Sequence, residues 1–368
     1  MTRLHVLHES GGQSPWLDNL RRDWLRNGEV ARWVERGVRG ITSNPAIFQK
    51  AFTATTAYED QFRALVDDGR STEDAYWDLV TADIVEACDL LEPLSSASGR
   101  ADGQVSVEVS PSLAHDTQGT LDAARELNRR IDRPNLYVKI PATSEGIPAI
   151  RAAISEGINV NVTLLFSLTR YAEVIEAYLG GLEDADGPLV GRSGVASFFV
   201  SRVDNEVDRL LTEIGTEKAL SLRGRAAVAN AQLAYALYLD RFSGERWESL
   251  SKAGALPQRP LWASTSTKNP DYPATLYVDT LIAPGTVNTM PEATLAAFEA
   301  EGTVARSADA DLDGARRVLD DLASVGIDLD AVTDRLETEG INAFVESFDD
   351  LLRTLDQGVI PDLVADGR

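Results

Sequence analysis

The stretch Asn135-Leu136-Tyr137-Val138-Lys139-Ile140-Pro141-Ala142 decides how the chain reads. Side chains alternate along a strand, so Leu136, Val138 and Ile140 share one face while Tyr137 and Lys139 share the other. Pro141 has no N–H to donate and closes the ladder, and Thr143-Ser144-Glu145-Gly146 then opens a helix. A mid-strand lysine between an apolar layer and whatever Tyr137 faces is poorly placed for a solvated surface charge. Taking an ammonium out of water disfavours its charged form and exposes an amine nucleophile, which Schiff-base chemistry on a carbonyl requires. The same stretch also accommodates a strand-end lysine that snorkels to water.

Outward from it, strand patterns recur with helical patterns between them. They cover Ser14 to Leu20, Val38 to Asn44, Val105 to Pro111, Leu136 to Pro141, Ile158 to Phe166, Val195 to Val203, Pro260 to Ser266 and Thr286 to Met290. Alternating β and α units imply parallel strands with helical crossovers, and eight such units predict a closed (β/α)8 barrel ahead of an open doubly wound sheet. Ser167 reads as the cap of a helix from Leu168 to Leu179 that stops at Gly180 and Gly181, and Thr289-Met290-Pro291-Glu292 reads as a capping box. With no repeat, low-complexity segment or polar linker, residues 1–368 read as a single barrel domain. Helical insertions fall at about 45–104 and 204–259, and a helical tail runs from about 309.

The strands share a polar phase. Ser106, Glu108 and Ser110 lie opposite Val105, Val107 and Val109. Asn159, Asn161 and Thr163 lie opposite Val160, Val162 and Leu164. The same split sets Asp18 opposite Leu17, joins Thr42 to Asn44 and groups Ser197 with Phe199. Helices cover the outer face of a barrel strand, so the apolar phase belongs outside and the polar phase points inward. Asp18, Thr42, Asn44, Glu108, Lys139, Asn161, Thr163 and Ser197 are then expected to converge. Buried ionisable groups that converge mark a candidate active site; an open sheet with one solvated face is the alternative.

Charge and composition exclude other classes. Lys plus Arg number 35 against 58 for Asp plus Glu, and a net charge of −23 argues against nucleic acid or an anionic membrane as partner. The first residues carry no apolar signal core and no run reaches the length of a membrane span, so a soluble, cytoplasmic protein is expected. The single cysteine, Cys88, reads as a core thiol, and His5, His8 and His115 are too scattered for a metal cluster.

Several runs carry a resemblance. Gly40-Ile41-Thr42-Ser43-Asn44-Pro45, Val107-Glu108-Val109, Tyr137-Val138-Lys139-Ile140-Pro141, the segment Gly157 to Phe166, and Ser197-Phe198-Phe199-Val200-Ser201-Arg202 together resemble transaldolases. The similarity keeps its order from about Trp16 to Ala300. The Gly224 to Gln258 insertion and the Ser264-Thr265-Ser266-Thr267-Lys268 ending are similar to the actinobacterial and cyanobacterial branch.

The resemblance implies a (β/α)8 barrel that needs no metal or organic cofactor. It implies transfer of a dihydroxyacetone unit from sedoheptulose 7-phosphate to glyceraldehyde 3-phosphate in the pentose phosphate pathway, giving erythrose 4-phosphate and fructose 6-phosphate. It makes Lys139 the Schiff-base lysine, Asp18 the acid/base at the C4 hydroxyl, and Glu108 with Thr163 the pair that activates water. Asn44 and Asn161 match positions that hold the dihydroxyacetone moiety, with Thr42 in support. Phe199 stands where the hydrolysing fructose 6-phosphate aldolases tend to carry tyrosine. Ser197 and Arg202 match one half of a phosphate site. The other half is a Ser-x-Arg in many relatives and Ser266-Thr267-Lys268 here, where Lys268 also reads as a solvated loop lysine. Arg202 points away from Ser197 by strand phase, so its role needs the strand to have ended. A fructose 6-phosphate aldolase and a silent sugar-phosphate-binding barrel are the competing functions, and the assembly is expected to be a monomer or homodimer.

Overall fold

The structure, a computed structural model, describes residues 1–356. Eight parallel strands close on themselves in sequence order. They are β1 (Gln13–Leu17), β2 (Gly40–Ile41), β3 (Gln104–Glu108), β4 (Leu136–Pro141), β5 (Val160–Leu165), β6 (Gly194–Phe199), β7 (Gln258–Ala263) and β8 (Thr286–Met290). Every crossover runs through helix, so the (β/α)8 expectation holds.

β4 and β8 match their expected ranges, whereas the other six strands end earlier than the sequence patterns suggest, because those ends pass into the loops that carry polar groups. β2 stops at Ile41, and Asn44 caps the helix Pro45–Ala54 by accepting from the Ile47 N–H at 3.0 Å. β6 stops at Phe199, and a helix begins at Ser201 and runs to Ile214. β7 stops at Ala263, where Ser264 turns to a left-handed φ of 56°. β5 carries an irregularity between Val162 and Leu165, with Leu164 at a φ of 58°. A non-glycine residue in this region costs roughly 1–2 kcal/mol, so the surrounding packing must hold both.

Inside, large side chains fill the lower barrel. Trp16 and Tyr137 are fully buried with ring centroids 6.2 Å apart, and a Cβ on Gly40 would lie 2.4 Å from the Trp16 ring. At the N-terminal end of the strands, buried Asp102 accepts from Ser14 Oγ at 2.6 Å and pairs with Arg39 at 3.2 Å and Arg259 at 3.4 Å. The upper layer is therefore the one left for polar chemistry.

Two helix expectations need correction. Ser167 does cap its helix, but the helix continues to Glu183 through Gly180 and Gly181. Those glycines serve close packing: a Cβ on Gly181 would lie 2.6 Å from the Arg151 carbonyl oxygen in the helix Gly146–Ser155. Thr289 does not open a capping box, since it lies in β8 and its hydroxyl meets Thr42 Oγ1 at 2.6 Å. The following helix, Glu292–Glu301, has Pro291 as its cap and no side-chain cap bond.

The helices Pro45–Ala54, Glu59–Asp67 and Thr72–Ala97 fill the connection from β2 to β3, and four helices from Ser201 to Lys252 fill that from β6 to β7. Leu312–Ser324 and Leu329–Asp356 follow near the end. The last of these packs against Pro45–Ala54 and reaches the barrel mouth. Gly340 in it admits that approach, because a Cβ there would lie 2.9 Å from Leu164 Cδ2 and 3.4 Å from Arg202 Nη1.

Candidate active site

Parallel register sets the centre of the site. Glu108 pairs with Lys139 across β3 and β4, and Lys139 with Asn161 across β4 and β5. Side chains at paired positions point the same way, so all three enter the barrel together. Lys139 is buried, which removes the snorkelling alternative. Its Nζ lies 3.2 Å from Glu108 Oε2 and donates to the Ser43 carbonyl at 3.4 Å.

Both catalytic carboxylate candidates are perturbed. Burial pushes Glu108 above the ordinary carboxylate range, and the charge of Lys139 works against the shift. Burial likewise raises Asp18, opposed first by a hydrogen bond from Thr42 Oγ1 at 2.7 Å and then by the charge of Lys139. Asp18 follows β1 directly, and its N–H donates to the Met290 carbonyl at 2.9 Å, which fixes it beside β8.

Asn161, paired with Lys139, is held from both sides. Its Nδ2 donates to Ser106 Oγ at 3.0 Å and its Oδ1 accepts from Ser197 Oγ at 2.7 Å, which fixes the amide orientation. Thr163 is fully buried, with Oγ1 lacking a hydrogen-bond partner among the described residues; Glu108 Oε2 likewise has none, its contact to Lys139 being an ion pair off hydrogen-bond geometry.

A cavity of about 780 Å³ opens above these groups at the C-terminal end of the strands. Of the residues expected from sequence, Asp18, Thr42, Asn44, Lys139, Ser197, Phe199, Arg202, Ser266 and Lys268 line it, whereas Glu108, Asn161 and Thr163 are buried and do not. Arg202 faces the cavity because it sits in the first turn of a helix and not on β6, which settles the phase conflict. Its guanidinium lies 5.0 Å from the centroid of Phe199 and 5.9 Å from that of Phe344. Such stacking suits arginine while its N–H fork remains available to an anion. Lys268 is exposed at the rim and donates to Ser266 Oγ at 2.8 Å.

Sequence reasoning missed part of this wall. Phe344, from the helix Leu329–Asp356, places its ring 5.8 Å from Lys139 Nζ. Lys50 and Arg21 add cations, and Glu292 binds Asn19 Nδ2. Asn19 and Arg21 follow Asp18 so closely that position alone could have named them. Ala46, Ile47, Lys50 and Ala54 fall at helical spacing after Asn44. Nothing in the sequence says where the helix Leu329–Asp356 lands.

Closed barrel and charged mouth define a (β/α)8 enzyme whose site is at the C-terminal face, where barrel enzymes hold their catalytic groups. The family described as Transaldolase/Fructose-6-phosphate aldolase matches residues 15–355. A protein named Transaldolase from Parafrankia sp. (strain EAN1pec) is 51% identical over 353 residues, covering 94% of this chain and 95% of the relative. Transaldolase of Thermobifida fusca (strain YX) is 51% identical over 348 residues, 93% and 94% of the two chains, and that of Mycobacterium leprae (strain TN) is 48% identical over 350 residues, 94% and 93%. The chain belongs to the transaldolase/fructose-6-phosphate aldolase family, and within it to the transaldolases, which are transferases. No helix among the described residues is long and apolar enough to cross a membrane.

Proposed function

We propose that the protein moves a dihydroxyacetone unit from sedoheptulose 7-phosphate to glyceraldehyde 3-phosphate through a Schiff base on Lys139. The observation that carries this reading is the buried pair of Lys139 and Glu108 at 3.2 Å beneath a cavity edged by Asp18 and Arg202. Lys139 Nζ attacks the ketose C2 carbonyl, and loss of water from the carbinolamine gives an iminium. Asp18 takes the C4 hydroxyl proton, the C3–C4 bond breaks, and its electron pair moves into the iminium to leave an enamine. The released aldehyde departs; the enamine attacks the acceptor aldehyde, and Asp18 returns the proton to the new hydroxyl. Glu108 and Thr163 act on the water that leaves and later returns, which is consistent with buried polar atoms on both that lack partners.

Asn44 offers Nδ2 to a substrate hydroxyl, since its Oδ1 already caps a helix. Asn161 and Ser197 hold one another in place for the dihydroxyacetone end. Ser197, Arg202, Ser266 and Lys268 receive the phosphate, and Phe199 keeps the wall between them apolar. The same reading carries a cytoplasmic location in the pentose phosphate pathway and a monomer or homodimer.

Borohydride trapping with fructose 6-phosphate, followed by peptide mass mapping, tests the nucleophile. The expected result is a reduced three-carbon adduct on Lys139. No adduct from folded protein would overturn the lysine assignment, and an adduct with cleavage but no transfer to erythrose 4-phosphate would indicate an aldolase instead.

A further inference from the structure

A second polar hollow lies at the opposite end of the barrel. It measures about 400 Å³ and forms where the segments entering β3, β4, β5 and β6 meet the end of the helix Thr117–Ile131. Arg100, Arg133 and Arg192 line it beside a single acid, Asp132. Three guanidiniums in one concavity run against a net charge of −23.

The three are not equivalent. Arg133 is committed to structure: Nε and Nη2 hold Asp89 at 2.5 and 3.0 Å, and Nη1 reaches the carbonyls of Ile131 and Asp132. Arg192 is anchored by Nε on the Pro188 carbonyl at 3.0 Å and by Nη1 on those of Ile154 and Ser155 at 2.6 and 3.0 Å, which leaves Nη2 without a partner among the described residues. Arg100 makes one long contact, Nη1 to the Pro134 carbonyl at 3.5 Å, and pairs with no carboxylate among the described residues. Glycines back both guanidiniums. A Cβ on Gly191 would lie 3.4 Å from Arg100 Nη1, and one on Gly187 would lie 3.4 Å from Arg192 Nη2. The β6 entry is itself fixed, because Asn159 Oδ1 accepts from the Ser193 N–H at 2.9 Å.

We propose that this hollow binds a phosphate-bearing anion, with Arg100 and Arg192 as its clamp. Guanidinium forks match phosphate oxygens, and N–H groups with no internal acceptor are the ones such a ligand would engage. The site is separate from the catalytic cavity and does not depend on how that cavity works.

Calorimetric titration of the full chain with pyrophosphate tests it. The catalytic mouth has cations of its own, so the titration is made in an Arg202→Gln/Lys268→Gln background. Saturable binding is expected there, weakened about tenfold or more when Arg100→Gln is added. Arg100 has so little structural attachment that the added substitution should leave the melting temperature unchanged, whereas Arg192→Gln also removes three backbone contacts. Affinity unchanged by Arg100→Gln, or no saturation in the double variant up to about 10 mM, would overturn the proposal.

Discussion

Glu108 and Lys139 occupy paired positions on neighbouring strands, and their charged ends meet 3.2 Å apart with side-chain exposures of 4% and 6%. Such a pair is costly to desolvate and contributes little net stability, so its presence at the base of a cavity points to chemistry. Glu108→Gln keeps the shape and removes the charge. Turnover should fall by about 10² to 10⁴ with a smaller change in KM, because water transfer slows while substrate contacts remain. Steady-state kinetics beside stopped-flow imine formation checks this, and unchanged imine formation would remove Glu108 from the mechanism.

Thr42 tunes Asp18. Its hydroxyl donates to the carboxylate at 2.7 Å and favours the charged form, in opposition to burial. Thr42→Val should therefore raise the Asp18 pKa further, and the acid limb of the kcat/KM profile should move to higher pH. A limb that stays in place, or moves down, would mean that Asp18 is not the group titrating.

Asp204 gives a stability test away from the chemistry. Burial raises its carboxyl from 3.8 to about 6, although it accepts from the Ala227 N–H at 2.7 Å and from Tyr277 Oη at 2.8 Å. The folded state holds this proton more tightly than the unfolded state does. The contribution is thus complete below the unfolded value and is lost as pH rises through about 6. Asp204→Asn should flatten the dependence of unfolding free energy on pH over that window, measured by urea denaturation at several pH values.

Arg22 and Asp83 form a buried pair at 2.6 Å, with Tyr58 Oη donating to the same carboxylate at 2.8 Å. The pair ties the loop that carries Asp18, Asn19 and Arg21 to the long helix Thr72–Ala97. Asp83→Ala leaves a buried guanidinium without its counterion and should cost about 3–5 kcal/mol in chemical denaturation.

Gly340→Ala probes the helix over the mouth. Alanine favours an isolated helix by roughly 0.5–1 kcal/mol, yet here its methyl group would lie 2.9 Å from Leu164 Cδ2. Either the buried Leu164 side chain repacks or the helix shifts, carrying Phe344 with it. Lower turnover with retained secondary structure by circular dichroism is the expected outcome.

The barrel and its inner face were legible because alternation survives along a buried strand: Glu108, Lys139 and Asn161 declare their common direction through the valines and isoleucines between them. Arg202 was not legible by the same rule, since the rule fails where strand becomes helix, and the apolar run through Val200 and Val203 hides that boundary. Gly180 and Gly181 misled for a related reason, because glycine marks both helix ends and close helix contacts. Thr289 resembled a cap while its hydroxyl was held across the barrel by Thr42. Phe344 depends on where a separate helix comes to rest, which local pattern does not encode.

The helix that brings Phe344 over Lys139, Leu329–Asp356, follows every strand of the barrel in the chain. During synthesis, every strand of the barrel has left the ribosome before the ring that covers the Lys139 amine is available. The cover on the Lys139 amine is therefore added only when that later helix docks. Loss of that helix by proteolysis would take the same cover from Lys139.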